Sequence, residues 1–137
     1  MKSREKSLIK LKRFQVDEKR RQVASIEMMI ADMERMANEL TAQVQSEESK
    51  AGISDITHFA YPTFAKAART RAENIQNSID ELKEKLEPAQ EDLSEAVEEL
   101  KKAELLEERD AAVARAEAEA AEQAALDEVA GRHAMIG

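Results

Sequence analysis

The chain has 137 residues, of which 36% are charged and 3% aromatic, and its formal net charge is −8. The length suits one domain, but this composition is typical of long helices packed side by side and disfavours a globular core. The absence of cysteine excludes disulfides and thiolate metal sites. We expect a soluble, cytoplasmic protein without direct membrane insertion, because no run approaches the about 20 apolar residues of a membrane span and the start lacks a signal-peptide core.

The first predicted helix covers residues 3–48, which contain neither Gly nor Pro. Apolar residues recur at every seventh position from Ile9 onward. From Val23 onward, a second set of apolar residues lies three positions after members of the first set. Together they form one stripe along the helix, which predicts a coiled-coil seam. The seam of this helix consists of Ile9, Val16, Val23, Ile26, Ile30, Met33, Ala37, Leu40 and Val44. A stripe this narrow needs a second helix to cover it.

The start of this helix is basic, with nine Lys and Arg against three acidic residues in residues 1–21. Leu8, Leu11 and Phe14 lie beside the seam rather than in it. Two interpretations stay open: the three are ordinary flanking apolar residues, or they form a docking spot on a basic helix. Nucleic acid is a poor partner for this region, because the whole chain is acidic and no aromatic residues interleave with the basic ones. An acidic protein surface suits it better.

A loop is predicted over residues 49–62. Gly52 can end the first helix, Ser54 or Asp55 can cap a short turn, and Pro62 suits the first turn of a new helix. The loop and the residue pair after it hold His58, Phe59, Tyr61 and Phe64, which include three of the four aromatic residues of the chain. These side chains either pack over the end of the seam or form a recognition tip, because loops on rigid scaffolds often carry binding.

The second predicted helix covers residues 63–130, with Gly131 as its stop. Its apolar spacing alternates between three and four residues without a slip across Pro88, which predicts a kink in a continuous helix. Residues 104–130 form an acidic, Ala-rich overhang that we expect to fray alone and to be ordered by a partner. The seam of this helix consists of Ala68, Ala72, Ile75, Ile79, Leu82, Leu86, Ala89, Leu93, Ala96, Leu100 and Ala103.

A turn near residues 55–56 places the two seams against each other in antiparallel order. Val44 then lies opposite Ala68 and Ile30 opposite Leu82, although a shift by one heptad matches equally well. In this register Lys12 and Lys19 face leucines of the second helix, so we expect weak packing there, with the ammonium groups reaching Glu95 or Glu99. The predicted fold is all-α, an antiparallel coiled-coil hairpin of two long helices, the second longer and kinked near Pro88.

No constellation of catalytic residues is present. Glycine occurs only at positions 52, 131 and 137, which excludes a phosphate-binding glycine loop. His58 and His133 lie far apart without metal-ligand spacing, and the methionines suit helix packing better than a copper site. We therefore expect a protein that is not an enzyme and holds no metal or cofactor.

Three segments resemble the flagellar export FliJ family in its alphaproteobacterial form. They are SLIKLKRFQVDEKRRQV over residues 7–23, AGISD with HFAYPT over residues 51–55 and 58–63, and ELKKAELLEERD over residues 99–110. The likeness spans about residues 3 to 110, and the loop is its most specific part. It implies a non-enzymatic, cytoplasmic component at the base of the flagellar type III export apparatus, which serves motility. Members are two-helix coiled coils that insert into a hexameric export ATPase and contact the membrane protein of the export gate. They also have roles with export chaperones.

Two candidate sites follow from this resemblance together with the residues. The basic end of the first helix would enter the ATPase ring, with Leu8, Leu11, Phe14, Lys10, Arg13, Arg20 and Arg21 as candidate docking residues. The opposite tip, with His58, Phe59, Tyr61 and Phe64, would face another component of the apparatus. No gate-binding residue of the family can be assigned in this sequence.

Two alternative functions stay open beside the export stalk. One is a self-assembling coiled-coil rod or a cytoplasmic export chaperone, and the other is the corresponding stalk of a virulence-type secretion system. The stalk hypothesis predicts a monomer or weak self-association, whereas the rod predicts a stable dimer. The secretion stalk differs in its partner and not in its physical chemistry.

Overall fold

The computed structural model describes residues 2–136, with the side chains of residues 3–135. In this part of the chain the fold is all-α, with helices α1 (Lys2–Ala51) and α2 (Thr63–Ile136) packed against each other and no strand. This confirms the predicted fold class. The chain divides into two compact units. The tip unit is Asp17–Glu95, and the end unit combines the residues up to Val16 with those from Ala96 onward.

In the tip unit the two helices run antiparallel. Residues later in α1 form ion pairs with residues earlier in α2. The pairs are Lys19 with Asp92 (3.9 Å), Glu34 with Lys83 (3.7 Å) and Glu48 with Arg69 (3.0 Å). Val44 and Ala68 belong to one buried cluster, as expected from the predicted register. The ion pairs and this cluster establish the antiparallel order, and the exact register stays a prediction.

The predicted seam forms the core of the tip unit. The buried residues include Val23, Ile30, Val44, Ala68 and Ile79, and the last of these is only 1% exposed. Every other predicted seam position in this unit is partly buried. Because an apolar side chain gains free energy when its surface leaves water, this seam is what holds the two helices together.

The connection between the helices begins at Gly52, which has a φ of 70°. Its N–H and that of Ile53 both donate hydrogen bonds to the carbonyl of Glu48, at 2.8 and 3.3 Å. A positive φ costs Gly little, which suits it to ending a helix. The helix stop predicted at Gly52 is confirmed, and α1 runs to Ala51, three residues past the predicted end.

In the end unit the same antiparallel order holds between the start of α1 and the second half of α2. Ile9, Val16 and Ala96 are buried. Lys12 Nζ lies 2.8 Å from a carboxylate oxygen of Glu99, one of the two acids that the sequence predicted for it.

Contact between the helices continues past the predicted limit at Ala103. Glu5 and Lys6 of α1 line one cleft with Glu107 and Asp110 of α2. The prediction that α2 has no α1 partner beyond Ala103 is therefore wrong. The turns of α1 before Ile9 lie alongside about two further turns of α2.

The far end of α2 also differs from the prediction. Gly131 does not stop the helix, which continues to Ile136. A glycine ends a helix through a positive φ, and Gly52 is the only glycine in the described chain with one. From residue 108 to residue 135 every side chain is exposed. That this overhang frays alone stays a prediction.

Pro88 lies inside α2, and the helix is continuous through it. Proline removes one backbone hydrogen bond and crowds the preceding turn, but the apolar seam keeps its phase on both sides. The continuity is confirmed, and a kink at this position stays a prediction.

Candidate docking surfaces

The base of the tip loop is held by a network of three polar side chains. Tyr61 donates its hydroxyl proton to the Glu48 carboxylate (Oη to Oε1, 2.7 Å). Arg69 donates to the same oxygen at 3.0 Å and to the Tyr61 hydroxyl at 3.2 Å. The ring of Tyr61 is buried against Val44 and Ala65. The network therefore ties the end of α1, the loop and the first turns of α2 to one another.

The hydrogen bonds of this network shift the titration of its members. Tyr61 first, and Arg69 second, hold the pKa of the Glu48 carboxyl below its ordinary value. Burial, followed by the bond to Glu48, raises the pKa of the Tyr61 hydroxyl. Both directions favour an ionised Glu48 beside a neutral tyrosine, which is the pairing that the geometry requires.

The network predicts how the stability of the tip unit depends on pH. Because the folded-state pKa of Glu48 is depressed, its contribution is complete above its ordinary pKa near 4.5 and is lost as the pH falls further. Glu48→Gln should lower the thermal midpoint at pH 7, and its difference from the parent chain should shrink below about pH 4.5. Thermal unfolding followed by circular dichroism measures this. Glu81→Gln, at an exposed site on α2, is the control, and a pH-independent difference for Glu48→Gln would contradict the assignment.

The loop beyond this network exposes aromatic surface on an ordered backbone. Phe59 is 95% exposed and stacks on His58 with ring centroids 4.7 Å apart. The Nδ1 atom of His58 accepts a hydrogen bond from the N–H of Ala60 (3.0 Å). Phe64 is also exposed. An aromatic side chain displayed on a hydrogen-bonded turn loses little conformational freedom on binding.

A side-chain turn orders the start of the same loop. The hydroxyl and the N–H of Thr57 both donate to the Asp55 carboxylate, at 2.7 and 3.0 Å. These bonds hold the pKa of the Asp55 carboxyl below its usual range.

The four candidate tip residues fall into two groups in the structure. Tyr61 is packed over the end of the seam, whereas His58, Phe59 and Phe64 face solvent.

The start of α1 carries the second candidate surface. Leu8, Leu11 and Phe14 are 43%, 50% and 56% exposed. At about 100° per residue they span about 120° of the helix surface, with Lys10 at its border and Arg13 on the opposite flank of the seam. The structure therefore brings Lys10, but not Arg13, next to the three apolar side chains. Arg20 and Arg21 are exposed on the part of α1 that belongs to the tip unit.

Metal-binding clusters and membrane spans were both searched for in the described part of the chain. In residues 2–136 no group of three or more His, Cys, Asp and Glu side chains is placed to hold a metal ion. A search of the same residues finds no helix with the length and apolar character needed to span a membrane.

The Glu48, Tyr61 and Arg69 network was not predicted. Its members are separated by thirteen and eight residues, spacings that carry no motif. The predicted register does contain a signal, because it brings the last turn of α1 beside the first turns of α2, where Arg69 follows the seam residue Ala68. A search for opposite charges flanking paired seam positions would have found Glu48 and Arg69.

A comparison with protein-family models finds a match. The family described as the flagellar FliJ protein matches residues 1–135. No curated protein and no solved structure matches the chain. The match covers both helices and the loop between them.

Proposed function

The chain belongs to the flagellar FliJ family, and from this premise we propose that it is the stalk that docks in the export ATPase ring and couples it to the export gate. Membership makes it a component of the flagellar protein-export apparatus. The proposal adds the two partners and the coupling between them. It also places the protein in the cytoplasm at the base of the apparatus, with export chaperones as further partners and no catalytic step of its own.

The observation that carries the ATPase contact is the exposed apolar row at the start of α1. Leu8, Leu11 and Phe14 are each more than two fifths exposed on a helix that already buries Ile9 and Val16 on its other face. Large apolar side chains with a basic border fit an apolar pocket with an acidic rim. We assign this row, with Lys10 beside it, to the ATPase ring.

The exposed aromatic residues of the tip support a separate contact with the export gate. Phe59 in the loop and Phe64 in the first turn of α2 are both exposed, and the Glu48 network anchors the base of the loop. Aromatic residues dominate the binding energy of many protein interfaces. In this proposal the cytoplasmic domain of the gate protein binds Phe59 with His58 stacked behind it.

Removing the apolar row tests the ATPase contact. The triple variant Leu8→Ala, Leu11→Ala and Phe14→Ala should retain about tenfold less ATPase in co-purification, because exposed anchors carry most of an interface energy. Its helicity should stay unchanged, since none of the three side chains lies in the seam. The matched control replaces Met28, Met29 and Met36 by Ala, which removes three other exposed apolar side chains of α1. Equal retention by both variants would reject the docking face.

Charge reversal tests the contribution of the basic residues in a second arm. Reversing Arg13, Arg20 and Arg21 to Glu should abolish co-purification with the ATPase, whereas reversing Lys66, Arg71 and Lys85 on α2 should not.

Sedimentation of the isolated protein distinguishes the stalk from the self-assembling rod. A monomer agrees with the stalk, and a dimer that persists on dilution favours the rod.

A further inference from the structure

A cleft of about 520 Å³ opens in the end unit, between the first turns of α1 and the α2 segment beyond Glu107. Ala111, Val113 and Ala114 supply apolar lining. Four carboxylates share the lining with a single basic side chain, Lys6. The carboxylates belong to Glu5, Glu107, Asp110 and Glu117.

These carboxylates are in an unfavourable arrangement. Glu5, when protonated, donates a hydrogen bond to Asp110, and this bond, followed by burial and by the charges of Asp110 and Glu107, raises the pKa of Glu5. Among the side chains of residues 3–135, none of the four acids forms an ion pair within 4.0 Å. Like charges held close together destabilise each other unless a cation lies between them.

Beyond the cleft, α2 carries further exposed apolar side chains among many acids. Leu126 and Val129 are each more than half exposed, as is Val113 in the cleft, but the spacing of 13 residues turns Leu126 to another side of the helix from Val113. Residues 104–136 hold nine acidic residues against three arginines. Two such segments from two copies of this chain would repel each other along their length, so their charge disfavours self-pairing. The same charge attracts a basic surface, and an exposed helix face with apolar side chains suits another amphipathic helix.

We propose that the cleft and the α2 face beyond it dock a basic amphipathic helix of a partner protein. A Lys or Arg of that helix lies between Asp110 and Glu117, with its alkyl chain against Ala111 and Ala114. The apolar face of the helix covers Val113. The proposal uses α2, not the Leu11 and Phe14 face of α1, and it holds whether or not the chain acts as the ATPase stalk.

A synthetic helix of about 24 residues, with leucines on one face and lysines on both flanks, is the probe, because it matches about 36 Å of α2. The control peptide has Glu at each Lys. Titrated into the full chain and followed by fluorescence anisotropy, the lysine peptide should bind at least about tenfold more tightly, and added salt should weaken it. Amide hydrogen exchange should slow over residues 107–130.

Charge neutralisation locates the site. The variant Glu107→Gln, Asp110→Asn and Glu117→Gln should bind the lysine peptide about tenfold more weakly, because each exposed ion pair contributes only a few-fold to affinity. The control variant Glu84→Gln, Glu87→Gln and Glu91→Gln removes three exposed acids of α2 in the tip unit and should bind as the parent does. Equal weakening by both variants, equal binding of both peptides, or a peptide-free dimer that protects residues 111–135 would each overturn the proposal.

Discussion

Ile79→Ala should lower the free energy of unfolding by about 2 to 5 kcal/mol, the largest loss that we expect from a single side chain. Ile79 is 1% exposed, and among the side chains of residues 3–135 it is the largest that is fully buried. Its truncation removes apolar contacts and leaves a cavity between the helices. The core is a seam one side chain wide on each helix, so few neighbours can move in to fill the space.

Denaturant unfolding followed by the helical circular dichroism signal measures this loss. Ile56→Ala is the matched control, because it makes the same substitution in the loop at a side chain that is 42% exposed. We expect it to cost less than about 1 kcal/mol. If the two variants lose equal stability, the paired seams are not the main source of stability in the tip unit.

Phe59→Ala should leave the stability unchanged and weaken binding to the cytoplasmic domain of the export gate by about 30-fold. Phe59 is 95% exposed, so its removal costs no packing within the chain. An aromatic anchor at an interface contributes about 2 kcal/mol or more, which corresponds to this factor. The expected loss of affinity rests on the proposed role of the tip. Because the stability should not change, the variant separates a defect in binding from a defect in folding.

Titration calorimetry with the purified gate domain gives the affinity, and swimming in soft agar gives the effect on flagellar assembly. Met28→Ala, which removes another exposed apolar side chain at a site on α1, should change neither. Unaltered gate affinity for Phe59→Ala with normal swimming would remove the tip from the mechanism. It would leave the ATPase contact to be judged on its own experiment.

The spacing of the apolar residues directly predicted which of them are buried. The period of a helix is a local property of the backbone, so residues such as Val23 and Ile30 lie on one stripe whatever surrounds them. The seam positions of the tip unit are accordingly all buried or partly buried in the structure. The same reasoning predicted Gly52 as the helix stop, because a positive φ is a requirement of the residue itself.

The direction in which the loop side chains point could not be predicted in this way. Tyr61 and Phe59 are two positions apart in an irregular segment, and one is buried while the other is almost fully exposed. That difference depends on the path between Gly52 and Thr63 and on the meeting of Tyr61 with Glu48 and Arg69. Gly131 is a second position that local reasoning could not predict. A glycine is able to end a helix, but α2 continues through this one to Ile136.

The sequence by itself determined that this protein is two long helices whose apolar stripes meet in antiparallel order, because helical periodicity and loop position are encoded locally. Three segments of the sequence also resembled the FliJ family, and the match over residues 1–135 established membership. Only the tertiary structure decided which polar groups meet across the helices. It selected Glu99 over Glu95 as the partner of Lys12, brought Tyr61 and Arg69 to Glu48, and placed Glu5 beside Asp110 in a cleft with two further acids. Such contacts join residues far apart in the chain, and their partners depend on side-chain geometry that no local pattern contains.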